Sequence, residues 1–128
     1  MKEEWKDIVG YEGLYQVSDL GNVRNIVTNK MLSAVKITNG YLAVRLSKRG
    51  ESKLFVVHRL VLETFKPRED MRLKTKNGSY VVQVDHINNI KSDNRLENLQ
   101  WLTGSKNIKK EQPRKNFKKK LGLALKEV

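Results

Sequence analysis

A chain of 128 residues with a formal net charge of +12 and an isoelectric point near 10.0 has room for one modest core or two very small modules, and it calls for a polyanionic partner. With no cysteine and 2 histidines it forms no disulfide and builds no structural zinc site of the usual Cys/His kind. Its mean hydropathy is -0.61. No apolar run approaches the roughly 20 residues of a bilayer span, and the opening Met1 to Lys6 is too polar for a secretory signal, so a cytoplasmic protein without a membrane partner is expected.

Residues 5–57 read as short strands punctuated by Gly10, Gly13, Gly21, Gly40 and Gly50. Residues 41–46 alternate, with Leu42, Val44 and Leu46 expected on a core face and Tyr41, Ala43 and Arg45 on the other. A turn at 47–52 then leads into a partner strand at 53–57, an antiparallel hairpin with a cationic tip. From 59 to 65 the spacing of Leu60 with Thr64 and Val61 with Phe65 predicts a short helix stopped by Pro67. Residues 67–79 hold few large apolar side chains and read as a loop separating two modules.

The β-branched run 80–84 predicts a strand ending at Asp85 and His86. Asn88, Asn89, Ser92, Asp93 and Asn94 then crowd into a loop, 99–102 is a second strand, and Thr103 is placed to cap a helix. Beyond it, residues 104–128 carry nine Lys/Arg against two Glu. The expected organisation is a β-rich module at 1–66, the connecting loop, a second module at 80–112 and a basic tail at 113–128.

One constellation stands out. Asp85 and His86 are adjacent, Asn98 follows His86 by twelve residues, and Asn107 lies nine further on. Asp and Asn oxygens beside one His suit a hard divalent cation with a general base. Each residue alone has a plainer explanation: Asp-His as a solvated or capping pair, Asn98 as a turn former, Asn107 as a surface helix residue. His58 reads as a packing histidine, and Trp5, Tyr11, Tyr15 and Trp101 as core aromatics.

From Tyr80 to Asn107 the text resembles the HNH endonuclease motif: Val84-Asp85-His86-Ile87-Asn88-Asn89, then Asn94-Arg95-Leu96-Glu97-Asn98-Leu99. The upstream Trp5-Lys6-Asp7-Ile8, Gly10-Tyr11-Glu12-Gly13-Leu14-Tyr15, Gly21-Asn22-Val23-Arg24 and Val57-His58-Arg59-Leu60 are similar to the N-terminal module of HNH homing endonucleases encoded in phage introns. The resemblance implies an α+β protein whose antiparallel β module and short helix precede a ββα-metal nuclease module. It further implies Asp85 and Asn107 as metal ligands for Mg²⁺ or Mn²⁺, His86 as general base, and Asn98 beside it in the catalytic set as the middle motif residue, bridging the loop or fixing the imidazole through a backbone carbonyl. Because neighbouring side chains in a strand point to opposite faces, a bend is expected at Asp85 and His86. The family commonly has a Gly-Asn pair where this chain has Asn89-Ile90, and Asn89 is expected to take the left-handed conformation in its place.

The implied partner is double-stranded DNA, nicked on one strand by a monomer or weak dimer in the cytoplasm of a bacterial or phage-infected cell, with no small-molecule substrate. Arg24, Arg45, Lys48, Arg49 and Lys53 on the strands and turns, and Lys109, Lys110, Arg114 and Lys115 in the tail, are the expected DNA contacts. The larger relatives' C-terminal helix-turn-helix region is not matched, so weaker target specificity is expected. Two rivals fit the charge: a catalytically inactive HNH-like DNA-binding protein acting as regulator or packaging accessory, and an RNA-binding basic protein. The first predicts binding without metal-dependent nicking, and the second a preference for RNA.

Overall fold

The computed structural model describes residues 2–102. Thr103 with its expected helix, Asn107 and the whole basic tail, including Lys109, Lys110, Arg114 and Lys115, lie outside the described residues. Within them the order is β1 (Trp5–Asp7), β2 (Tyr15–Ser18), β3 (Val23–Asn25), β4 (Lys30–Met31), β5 (Val35–Lys36), β6 (Leu42–Lys48), β7 (Glu51–Val56), α1 (Val57–Phe65), β8 (Gln83–His86), a 3₁₀ turn (Leu96–Asn98) and β9 (Leu99–Leu102). β1 to β4 form one sheet in chain order, β5 to β7 a second, and β8 and β9 a two-stranded ribbon, with every pairing antiparallel. The α+β expectation holds for what is described.

The β6–β7 hairpin shows how sequence becomes structure. Val44 and Leu46 are buried and Arg45 is exposed, as the alternation requires, but Ala43 on the opposite face is fully buried and Leu42 only partly, so that end of the strand is covered on both faces. The turn is tighter than expected: Arg49 and Gly50 both adopt positive φ, so the ladder runs out to Lys48 opposite Glu51. Two successive left-handed residues match the right-handed twist of the flanking strands, which removes the need for a six-residue loop.

α1 starts at Val57, directly after β7, with no side-chain cap. His58 therefore lies in the first helical turn and not at the end of the hairpin. Val57, Leu60, Val61 and Leu62 bury against strands of both sheets and of the β8–β9 ribbon. A single apolar cluster runs from Ile8 and Tyr15 through Leu46 and Leu62 to Val84 and Leu99. The two expected modules thus share one core around the helix.

Residues 67–79 are more than a spacer. Lys74 pairs with Tyr80 in an isolated bridge, Thr75 N–H donates to Ser79 O at 2.7 Å, and Val81 N–H donates to Leu73 O at 2.9 Å. This fold-back takes Tyr80 and Val81 out of the expected strand, which begins only at Gln83. The cause is Arg59. Its buried guanidinium lies 3.6 Å from the Tyr80 ring centroid, donates to Val82 O at 2.9 Å and to Met71 O, and pairs with Glu63 at 3.0 Å. A buried cation needs such a full set of partners to offset its lost hydration, and these draw the segment back over the helix.

Candidate active site

β8 pairs with β9 in unbroken register: Gln83 with Leu102, Val84 with Trp101, Asp85 with Gln100, His86 with Leu99. The bend expected at Asp85 and His86 is therefore absent. Pairing persists because Val84 and Leu99 anchor both strands in the core, and the chain turns only at Ile87. Asp85 is half-buried and accepts a bond from Gln100 Nε2 at 3.0 Å. His86, on the other face, is 5% exposed.

The His86 imidazole is enclosed by rings. Tyr41 stacks on it at 5.7 Å between centroids and an interplanar angle of 22°, and His58 meets it edge-on at 5.1 Å. Its Nε2 lies 2.7 Å from Oδ1 of buried Asn94. His58 is itself buried, and its Nδ1 has no hydrogen-bond partner among the described residues. Burial first, then the neighbouring His86 and Arg59, push the His58 pKa down to about 3, so this ring is neutral at physiological pH.

The loop between β8 and β9 is held largely by polar side chains, with Leu96 packed against the core at its far end. Asn98 Oδ1 accepts from Asn88 N–H at 3.0 Å, while its Nδ2 donates to Asn88 Oδ1 and to Asp93 O, both at 2.9 Å. Asn98 thus latches the loop, and the contact to the His86 ring comes from Asn94. Asp93 receives a fork of bonds from Arg95, which holds its carboxyl well below the usual carboxylate range. Asn89 has φ of 68°, the left-handed conformation expected of it.

Two turns of the N-terminal region reach over this loop. Lys91 Nζ donates to Asn39 O at 2.7 Å and lies over the Tyr41 ring. Gly21 presses against Asn94, and Leu96 N–H donates to Asp19 O at 2.8 Å. Tyr41, Asn94 and Gln100 were not singled out from the sequence. Asn94 sits among residues that read as turn formers, and the alternation puts Tyr41 on the strand face opposite the core. No spacing rule links either to His86.

The expected DNA contacts divide. Arg45, Arg49 and Lys53 are exposed on the β6–β7 hairpin. Arg45 opposes Leu54 and Leu46 opposes Lys53, so Arg45 and Lys53 leave opposite faces. Arg24 is engaged within the protein, bonded to Gln16 Oε1 and stacked 4.0 Å over Trp5. Lys48 reaches Gly10 O and lies over the Tyr11 ring.

Two family descriptions match the chain: the NUMOD4 motif over residues 3–47 and HNH endonuclease over 55–109. The chain thus carries an HNH endonuclease domain with a NUMOD4 motif ahead of it. It is 39% identical over 111 residues to the DNA endonuclease I-HmuI of Bacillus phage SP01, covering 87% of this chain and 59% of that one. An uncharacterized HNH endonuclease of Acanthamoeba polyphaga mimivirus is 41% identical over 109 residues, covering 83% of this chain and 25% of that one. A solved structure of the HNH homing endonuclease I-HmuI, concerned with DNA binding and cleavage, matches at a TM-score of 0.72 and 38% identity, again over 87% of this chain and 59% of the other. The fold described above is thus that of an HNH homing endonuclease, and the chain spans from a quarter to three fifths of these relatives' lengths.

Proposed function

We propose that the chain is a DNA endonuclease of the HNH homing type, hydrolysing phosphodiester bonds in double-stranded DNA and nicking one strand per active site. The observation that carries this reading is the end of β8, where Asp85 and His86 are successive residues at the motif's position, on opposite faces of the ribbon, with the imidazole fixed by three neighbours. In this reading His86 takes a proton from the attacking water, and Asp85 with Asn107 holds a divalent cation. Asn98 keeps the loop between β8 and β9 in register.

The donor set fits such a cation. Among the described residues no three His, Cys, Asp or Glu side chains converge. One carboxylate and one amide oxygen leave room for waters and substrate oxygens, the arrangement that suits Mg²⁺, with Mn²⁺ as a substitute. A bound cation would offset charge building on the phosphate and assist the departing 3′ oxygen. Duplex DNA as partner is supported by the net charge of +12 and by the binding and cleavage of DNA by I-HmuI. Arg45, Arg49 and Lys53, with the tail cations, are the proposed backbone contacts, acting in a phage-infected or bacterial cytoplasm as a monomer or weak dimer. Among the described residues no helix is long and apolar enough to cross a membrane.

Supercoiled plasmid incubated with the protein tests this reading. Nicked circles in Mg²⁺ or Mn²⁺ but not in EDTA are expected, and Asp85→Ala should abolish them. Equal nicking in EDTA would overturn the metal-dependent mechanism.

A further inference from the structure

We propose that Asn94 is a positioning residue that sets the tautomer of His86, and that the β2–β3 turn of the N-terminal region holds it there. The inference rests on the reading of His86 as general base and adds the device that makes the ring competent. An amide oxygen accepts hydrogen bonds and cannot donate them. With Asn94 Oδ1 2.7 Å from Nε2, the proton of the neutral imidazole belongs on Nε2, and the lone pair is left on Nδ1. A base with its proton on the other nitrogen offers an N–H where water needs an acceptor. Both partners are buried, 5% and 4% exposed, so water does not readily replace the bond and the alternative tautomer would face an acceptor with an acceptor.

Asn94 is in turn wedged from outside its own loop. A Cβ added at Gly21 would sit 2.9 Å from both Asn94 Cβ and Asn94 O, so glycine is what allows the two backbones to approach this closely. Gly21 also has φ of 89°, within a turn whose Leu20 and Asn22 N–H groups both donate to Ser18 Oγ at 3.1 Å. The bond from Leu96 N–H to Asp19 O fastens the same strip of loop two residues on. Tyr41 and His58 fix the plane of the His86 ring, and Asn94 fixes which nitrogen carries hydrogen. A turn in the NUMOD4 segment thereby reaches the base through one side chain.

Nitrogen-15 NMR of the full chain labelled at histidine tests the proposal, since the chain has 2 histidines and His58→Phe identifies the remaining signal pair. At a pH where the rings are neutral, His86 should show a protonated Nε2 and an unprotonated Nδ1. Asn94→Leu should mix the tautomers and slow single-turnover nicking by roughly 10–100-fold, with affinity for duplex DNA unchanged. Asn94→Asp retains an acceptor oxygen and should restore both the tautomer and most of the rate. A wild-type His86 protonated on Nδ1 overturns the proposal without any variant having to fold, as does wild-type nicking by Asn94→Leu. Full nicking by His86→Ala would instead remove the base reading itself, and it is read from a different protein.

Discussion

The β2 and β6 strands and the β8–β9 loop fix their side chains by different physics. In the strands, Val17, Val44 and Leu46 alternate inward, and dispersion with apolar burial decides their place. In the loop, Asn88, Asp93, Asn94 and Asn98 hold one another and His86 through directional bonds, with little apolar surface to help. Apolar burial is non-directional, whereas a hydrogen bond depends on both distance and angle. The fold should therefore survive changes that the active site does not.

That contrast breaks down most readily at Leu46, which is fully buried. Leu46→Ala should cost roughly 2–5 kcal/mol in chemical denaturation while the folded fraction nicks DNA at an unchanged rate. A rate loss beyond the unfolded fraction would show that sheet and site are coupled through the core. His58 sharpens the comparison by a pH route. In the unfolded chain it takes up a proton as pH falls through its ordinary 6.5, but in the folded protein only near 3. Unfolded molecules then bind more protons between those values, so stability is fully present above pH 6.5 and drains away towards pH 3, on the order of a few kcal/mol. Denaturation midpoints across that window should fall for the wild type and fall less for His58→Phe.

At the loop end of the comparison, Asn98→Ala should cost about 1–3 kcal/mol, by leaving Asn88 N–H and Asp93 O without their partner, yet reduce nicking well beyond that loss of folded protein. The smallest effect belongs to exposed Arg45. Arg45→Ala should leave stability within about 0.5 kcal/mol and lower the slope of log affinity against log salt by about 1 in a DNA-binding titration.

How legible each part was in the sequence follows from the same division. Alternation at Leu42, Val44 and Leu46 and the run at 99–102 announced their strands, and the Asp85, His86, Asn98, Asn107 spacing announced the family. The helix start was missed because Val57 follows a β-branched strand with no capping residue to mark the change. The strand at 80 was placed early because Tyr80 has strand propensity that Arg59 overrides through stacking. The contact between Asn94 and His86 was illegible for a deeper reason: it is fixed by tertiary approach of Gly21, and an asparagine in a polar loop carries no sign of what will press on it.

Single-turnover nicking of supercoiled plasmid in Mg²⁺ by wild type beside His86→Ala puts the end of β8 on trial with the fewest intermediaries. Loss of roughly 10²–10⁴-fold in rate with duplex affinity retained is the expected result. Equal rates from the two proteins would contradict the assignment of general base to His86 and the site built around it.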